Sequence, residues 1–212
     1  MKFHLINAAF PSFEKELIRD LSRKGVMRAK KKDEVIVKMG QPLTSSVIIL
    51  QGSAKIFRES ENGSEYLIGF LLPGQSFGLN LYEDNLPDQK KSLVTLYAVK
   101  TTYILSIPFS QKDSLSRTYE SWYRYILDNS LMHYRLYLKM IDNIAFKNLE
   151  LRIEFFLEGL SIVTNNRVLE TSHREIAKSL NCSREAVSRQ LKTMQESGRI
   201  MLGHNRIELL NF

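Results

Sequence analysis

From Phe109 to Glu158 the chain runs without a glycine or a proline. A stretch of that length, rich in Leu, Tyr, Lys, Glu and Met, offers nothing that breaks a helix, so it predicts one helix of about seven or eight turns and a second after about Asn143. Leu115, Tyr119, Trp122, Ile126, Asn129, His133, Leu136 and Met140 recur at alternating steps of four and three. A second apolar stripe, Tyr123, Leu127, Tyr134, Leu138 and Ile141, lies on the neighbouring face. Two stripes on one helix ask for two partners, of which one is the rest of the chain and the other a second copy. The first stripe is taken as the dimer seam, with Tyr119, Trp122, Ile126, Asn129, His133, Leu136 and Met140 pairing in a coiled coil and Asn129 and His133 as polar interruptions that set register. The alternative is a core helix buried within one monomer.

Upstream, from Asp33 to about Pro108, β-branched and aromatic segments alternate with turn residues: "EVIVKM", "SVIILQ", "SAKIFRE", "EYLIGFLL", "SLVTLYAVK" and "TYILSI", broken at Gly40, Gly52, "ENG" (61–63), "PGQ" (73–75) and "DNLPD" (84–88). Strands at that spacing predict a sandwich or barrel, with a tight turn at Glu61-Asn62-Gly63. The basic run "RKGVMRAKKK" (23–32) leads into this region and is expected to be a solvated edge. Downstream of Gly159 the units shorten to a strand-like "RVLET", two short helices and a hairpin "RIMLGHNRIELL".

The two short helices carry the chemistry. Ser172 with Glu175 three residues on is a capping box, so the first helix starts there with Ile176, Ala177 and Leu180 inward. Asn181 and Cys182 form the turn, and Ser183 caps a second helix whose inner face is Ala186, Val187, Leu191 and Met194. Arg184, Glu185, Ser188, Arg189 and Lys192 then point outward. This predicts a helix-turn-helix that offers guanidinium forks to guanine and a carboxylate to the cytosine amino group in a major groove. The competing reading is a helical hairpin with a solvated charged face. Cys182, the only cysteine, has Arg184 and a helix start nearby but no histidine base, since His173 is a whole helix away; it is read as a small packed hydrophobe.

Composition narrows the classes. One cysteine allows neither an intrachain disulfide nor a cysteine-built metal or iron–sulfur site, so no metal is expected and the compartment is reducing cytosol. The amino terminus does not read as a signal peptide, and no segment approaches eighteen apolar residues, so a soluble protein with no membrane role is expected. A formal charge of +7 favours a polyanionic partner, though it also suits many proteins without one. No Gly-rich phosphate loop, G-x-S-x-G elbow or paired carboxylates at metal spacing occur, so no enzyme is expected. The β region has no histidine, which excludes a cupin-type metal barrel.

"SREAVSRQLKTMQESGRI" resembles the recognition helix of the Crp/Fnr transcriptional regulators. "PGQSFG", "IILQGSAKIF" and the trailing long helix resemble that family's cyclic-nucleotide-binding-like β-roll and dimerisation helix, in the same order along nearly the whole chain. The resemblance implies an α+β fold: a β-roll of the double-stranded β-helix type with an amino-terminal helical segment (1–108), a dimerisation helix (109–142) and a winged helix-turn-helix (143–212). It also implies a cytoplasmic homodimer on a roughly palindromic site in double-stranded DNA, working with RNA polymerase and answering to an effector. Arg184, Glu185 and Arg189 match members with Arg-Glu-x-x-x-Arg, and Glu185, Ser188 and Arg189 match members with Glu-x-x-Ser-Arg. A half-site related to TGTGA or TTGA follows, with Ser172, His173 and Lys192 on phosphates.

Members that bind a cyclic nucleotide place a glutamate right after Phe-Gly and an arginine before a small hydroxyl residue. Here Phe77 and Gly78 precede Leu79 and Asn80, and Lys90 and Lys91 precede Ser92. A leucine cannot accept ribose hydroxyls, and a lysine is a point charge instead of a bidentate fork. The expected effector, held near Phe77, Gly78, Leu79, Asn80, Lys91 and Ser92, is therefore unidentified and not cyclic AMP, while an anion near Lys91 stays open. No cofactor is evident. A β-roll that serves only as a scaffold or protein-interaction surface is the alternative.

Overall fold

The computed structural model describes residues 1–79 and 91–210. After two amino-terminal helices, α1 (Lys2–Ala9) and α2 (Lys15–Lys24), come strands β1 (Val26–Lys30), β2 (Val35–Val37), β3 (Ser45–Gln51), β4 (Ala54–Glu59), β5 (Glu65–Leu71), β6 (Ser76–Phe77), β7 (Thr95–Ala98) and β8 (Thr102–Pro108). They form two antiparallel sheets, ordered β1-β8-β3-β6 and β2-β7-β4-β5, facing each other as a sandwich. Val47 and Ile49 of β3, Ile56 of β4, Leu96 of β7 and Ile104 of β8 fill the space between.

Both sheets are also covered on their outer faces, which explains why the strands read as continuous apolar runs without clean alternation. Ile48 and Leu50 of β3 and Leu105 and Ile107 of β8 point away from the sandwich core into a cluster with Ile6, Leu17, Leu21 and Trp122. On the other sheet, Phe57 of β4 and Leu67 of β5 point outward into the core of the carboxy-terminal module, beside Ile153, Leu157 and Ile176. Gly52, between β3 and β4, needs to be glycine: its φ is +89°, and a Cβ there would lie 2.5 Å from Thr102 Oγ1. The turn expected at Glu61-Asn62-Gly63 links β4 and β5, with Gly63 at φ +79°. β1 was hidden in the basic run; it pairs with β8 as an edge strand, and Arg28 and Lys30 keep it soluble.

The helical region differs from the sequence expectation in two ways. It is divided: a 3-10 turn (Phe109–Gln111), α3 (Lys112–Thr118), then α4 (Glu120–Ala145) and α5 (Leu149–Thr164), with Tyr119 extended at φ −126°, ψ 114° between α3 and α4. The single long helix expected over 109–142 is thus α3 and α4, of which α4 is the long one. The second correction concerns the expected dimer seam. Trp122, Ile126, Asn129 and His133 are buried within the chain, Tyr119 is packed against the same cluster as Trp122, and Leu136 and Met140 pack on the sandwich core. That stripe holds α4 on its own β-roll: Trp122 and Ile126 join α1 and α2 over the outer face of β3 and β8, Asn129 and His133 bond the Ser76 peptide of β6, and Leu136 lies against Gly69 of β5. The second stripe is the exposed one: Tyr123, Leu127, Tyr134, Leu138 and Ile141 are 52%, 51%, 60%, 43% and 51% exposed.

After α5 follow β9 (Val168–Glu170), α6 (His173–Leu180), α7 (Arg184–Glu196), β10 (Ile200–Gly203) and β11 (Arg206–Leu209). β10, β11 and β9 make a small antiparallel sheet beside the two helices. No helix among the described residues is long and apolar enough to cross a membrane.

Candidate DNA interface and ligand cavity

The turn between α6 and α7 is built from local hydrogen bonds. Glu175 N–H donates to Ser172 Oγ at 3.2 Å while the Glu175 carboxylate accepts from Ser172 N–H at 2.8 Å, which closes the capping box. Asn181 ends α6 in the left-handed region at φ 49°, and Ser183 Oγ accepts from Ala186 N–H at 3.1 Å to start α7. Ile176, Leu180, Val187, Leu191 and Met194 are thereby buried against one another. Arg184, Glu185, Arg189 and Lys192 stand exposed on the opposite side of α7. Lys192 makes a loose surface pair with Glu196 at 3.8 Å.

Ser188 is different, because it is half-buried and bonded to His173 Nδ1 at 2.8 Å. Burial, and then the Arg184 guanidinium, hold the His173 pKa below the usual imidazole range. In the protein without DNA the neutral imidazole is favoured. A cleft of about 450 Å³ runs between the start of α6 and the β10–β11 turn, lined by Arg174, Arg184, His204 and Arg206. Cys182 packs half-buried against the helix-turn-helix core; burial raises its thiol pKa, against the smaller opposing effect of Arg152, so the reactive thiolate is disfavoured.

The β-roll holds a cavity of about 200 Å³ between β6, the segment around Ser92, and α4. Phe77, Gly78, Leu79, Lys91 and Ser92 line it, as expected from sequence; Asn80 and Lys90 lie outside the described residues. Leu79 is 1% exposed and belongs to the apolar cluster beneath α4, so this position supplies no acceptor for a sugar hydroxyl. Leu43, Leu93 and Val94 also line it, and α4 adds Asn129, His133 and Tyr137, none of them in the expected pocket set. The available signal was two polar residues in an apolar stripe.

His133 is buried, and burial lowers its pKa more than its bond to the Ser76 carbonyl raises it. A depressed folded pKa means that the unfolded chain takes up protons first. The associated stability is fully present above pH 6.5, the ordinary imidazole value, and is lost as the pH falls from there through the lower folded value. Urea melts from about pH 7 down to about pH 5 should show stability falling toward acid, and the slope should shrink in His133→Gln. An unchanged slope would mean that His133 does not titrate with folding.

Two family models match in the same order. The Cyclic nucleotide-binding domain matches residues 27–119 and the Crp-like helix-turn-helix domain matches residues 152–212. The chain belongs to the Crp/Fnr family. Among curated proteins, this Crp/Fnr chain is 28% identical over 191 residues to the transcriptional activator protein anr of Pseudomonas aeruginosa, covering 87% of this chain and 76% of that one. It is 27% identical over 171 residues to the cAMP-activated global transcriptional regulator Vfr of the same organism, covering 77% and 79%. Among solved structures, the c-di-GMP responsive global regulator CLP of Xanthomonas campestris superposes with a TM-score of 0.75 at 20% identity, covering 94% of this chain and 100% of that one. A crp/fnr-family protein of Eubacterium rectale gives 0.74 at 20%, covering 95% and 92%. The fold is therefore that of a cyclic-nucleotide-binding-type sandwich, a long helix and a winged helix-turn-helix, and this Crp/Fnr protein is a DNA-binding transcriptional regulator, not an enzyme.

Proposed function

We propose that the protein is a cytoplasmic homodimer that binds a near-palindromic site in double-stranded DNA through two copies of α7, and whose DNA affinity follows occupancy of the β-roll cavity by an effector other than cyclic AMP. The carrying observation is the pairing of an exposed Arg184–Glu185–Arg189 face on α7 with a separate exposed apolar stripe on α4. The first suits base edges in a major groove, and the second suits an identical helix related by a two-fold axis. Residues 1–108 then sense, 109–142 dimerise, through α4, and 143–212 bind DNA. Arg184, Glu185, Ser188 and Arg189 are the base-reading set, for a half-site related to TGTGA or TTGA, and the regulator acts with RNA polymerase at its promoters. Ser172 and Lys192 contact phosphate. His173, the third residue expected on a phosphate, bonds Ser188 through Nδ1 and so also holds that hydroxyl. The bet against cyclic AMP rests on Leu79, which stands where a ribose-binding glutamate is needed, and on the small cavity.

A second reading has an observation of its own. Phe57 and Leu67 bury the β-roll directly against the DNA-binding module, as a fixed scaffold would. Operator affinity that does not change when cell-extract metabolites are added to the purified protein favours that constitutive reading.

The test of DNA recognition is a selected operator titrated at several salt concentrations. Arg189→Ala should lose about 1–3 kcal/mol of specific affinity and relax one base position. Lys192→Ala should leave the preferred sequence intact and reduce the salt slope by about one. Unchanged binding of the same operator by Arg189→Ala would sink the docking.

A further inference from the structure

Asn129 and His133 of α4 are both tied to one peptide, that of Ser76. Ser76 N–H donates to Asn129 Oδ1 at 3.0 Å, and His133 Nε2 donates to the Ser76 carbonyl at 2.6 Å. These two bonds define what each side chain has left. The Asn129 oxygen is used, so its Nδ2 remains, and an amide nitrogen only donates. A carbonyl only accepts, so His133 Nε2 carries the ring proton and Nδ1 of the neutral ring remains as an acceptor. Neither Nδ2 nor Nδ1 has a hydrogen-bond partner among the described residues, and the two residues are 4% and 7% exposed.

The pair is four residues apart on one helix, so donor and acceptor lie on the same face, one turn from each other. Both residues line the 200 Å³ cavity, whose remaining wall includes Leu43, Phe77, Val94 and Tyr137. A buried donor and a buried acceptor left unpaired are costly, and a cavity against them is where a partner fits. We infer that the cavity takes a small uncharged ligand carrying a hydrogen-bond acceptor and donor side by side, the edge of a cis-amide or lactam, with its acceptor toward Asn129 Nδ2 and its donor toward His133 Nδ1. This rests on the reading of the cavity as the effector site and adds the chemical class of the effector.

Size and charge point the same way. The volume is below the roughly 300–1,000 Å³ of drug-sized sites, which suits one or two fused rings. The apolar walls accept a ring body. Lys91 also lines the cavity and favours an anion near itself, but at the Asn129–His133 pair a carboxylate would set its own lone pairs against the lone pair of Nδ1, and the burial that lowers the His133 pKa works against the protonation that would relieve this.

The test uses the full chain with 2-quinolone, which carries the lactam edge, against N-methyl-2-quinolone, which lacks the donor, and benzoate, which offers a carboxylate. Binding is followed by calorimetry and by the ring-nitrogen resonances of the histidines. The expected result is saturable binding of 2-quinolone with a shift of one imidazole Nδ1, and affinity weaker by about tenfold or more for the N-methyl compound and for benzoate. Asn129→Leu and His133→Phe should each weaken 2-quinolone by a similar factor. Should either variant fail to fold, the N-methyl comparison on the unaltered protein decides alone. No saturation, equal binding of the N-methyl compound, or tighter binding of benzoate overturns the inference. Its failure is distinct from failure of the effector reading: 2-quinolone that binds without changing operator affinity sinks the regulation and leaves the ligand class standing. Cell-extract metabolites that change operator affinity while 2-quinolone does not bind do the reverse.

Discussion

Leu138→Glu should yield a folded monomer that has lost specific binding to a palindromic operator. Leu138 is 43% exposed and lies between Tyr134 and Ile141 on the outer stripe of α4, away from the β-roll. A helix of 26 residues with a continuous exposed apolar stripe is more than a monomer ordinarily leaves in water. In a two-fold pairing, residues near the axis meet their own counterparts, so one substitution places two carboxylates in the seam, each desolvated and facing a like charge. Without the partner, two half-sites are no longer bound as one ligand, and specific affinity should fall by about 10³-fold or more. Sedimentation and operator titration read the two effects, and circular dichroism should be unchanged. A variant that stays dimeric would mean that the copies meet elsewhere.

Trp122→Ala should have the opposite profile, with a large loss of stability and no direct effect on the seam. Trp122 is fully buried and stands between Phe13, at 6.3 Å between ring centroids, and Tyr125, at 5.6 Å. Phe10 stacks on Phe13 at 4.4 Å, so this aromatic group fastens the α1–α2 connection to the first turns of α4. Truncating the indole leaves a cavity that rigid rings on two sides cannot close, which puts the cost at about 3–5 kcal/mol and lowers the Tm by about 10 °C. A loss below about 1 kcal/mol would contradict the burial of this stripe within the monomer.

Set side by side, these two substitutions mark the limit of what could be read from the sequence. The helix-turn-helix was legible because its determinants are neighbours in the chain: Ser172 with Glu175, Asn181 at the turn and Ser183 at the next cap form their bonds within four residues. The direction in which α4 faces was not legible, because both stripes are apolar and the choice depends on contacts far away in sequence, Trp122 with Phe13 and His133 with Ser76. Asn129 and His133 held the clue. Polar residues in a coiled-coil seam and polar residues that bond a strand peptide look alike until the strand is placed. That strand, β6, is two residues long and has no periodicity to detect. The break at Tyr119 has no glycine or proline to announce it. The cavity wall was legible where the family pattern named it, at Phe77 to Leu79 and Lys91 to Ser92, and not where α4 completes it.

The outward placement of Phe57 and Leu67 has a consequence for how such proteins can be rearranged. Their side chains complete the core that also holds Ile153, Leu157, Ile176 and Val187. Residues 143–212 are therefore not an independent cassette, and cutting there exposes a hydrophobic floor on both pieces. A chimera that carries this DNA-binding end onto a relative's β-roll needs aromatic or aliphatic side chains at the positions equivalent to 57 and 67. Without them, heating should melt the chimera in two steps where the parent melts in one.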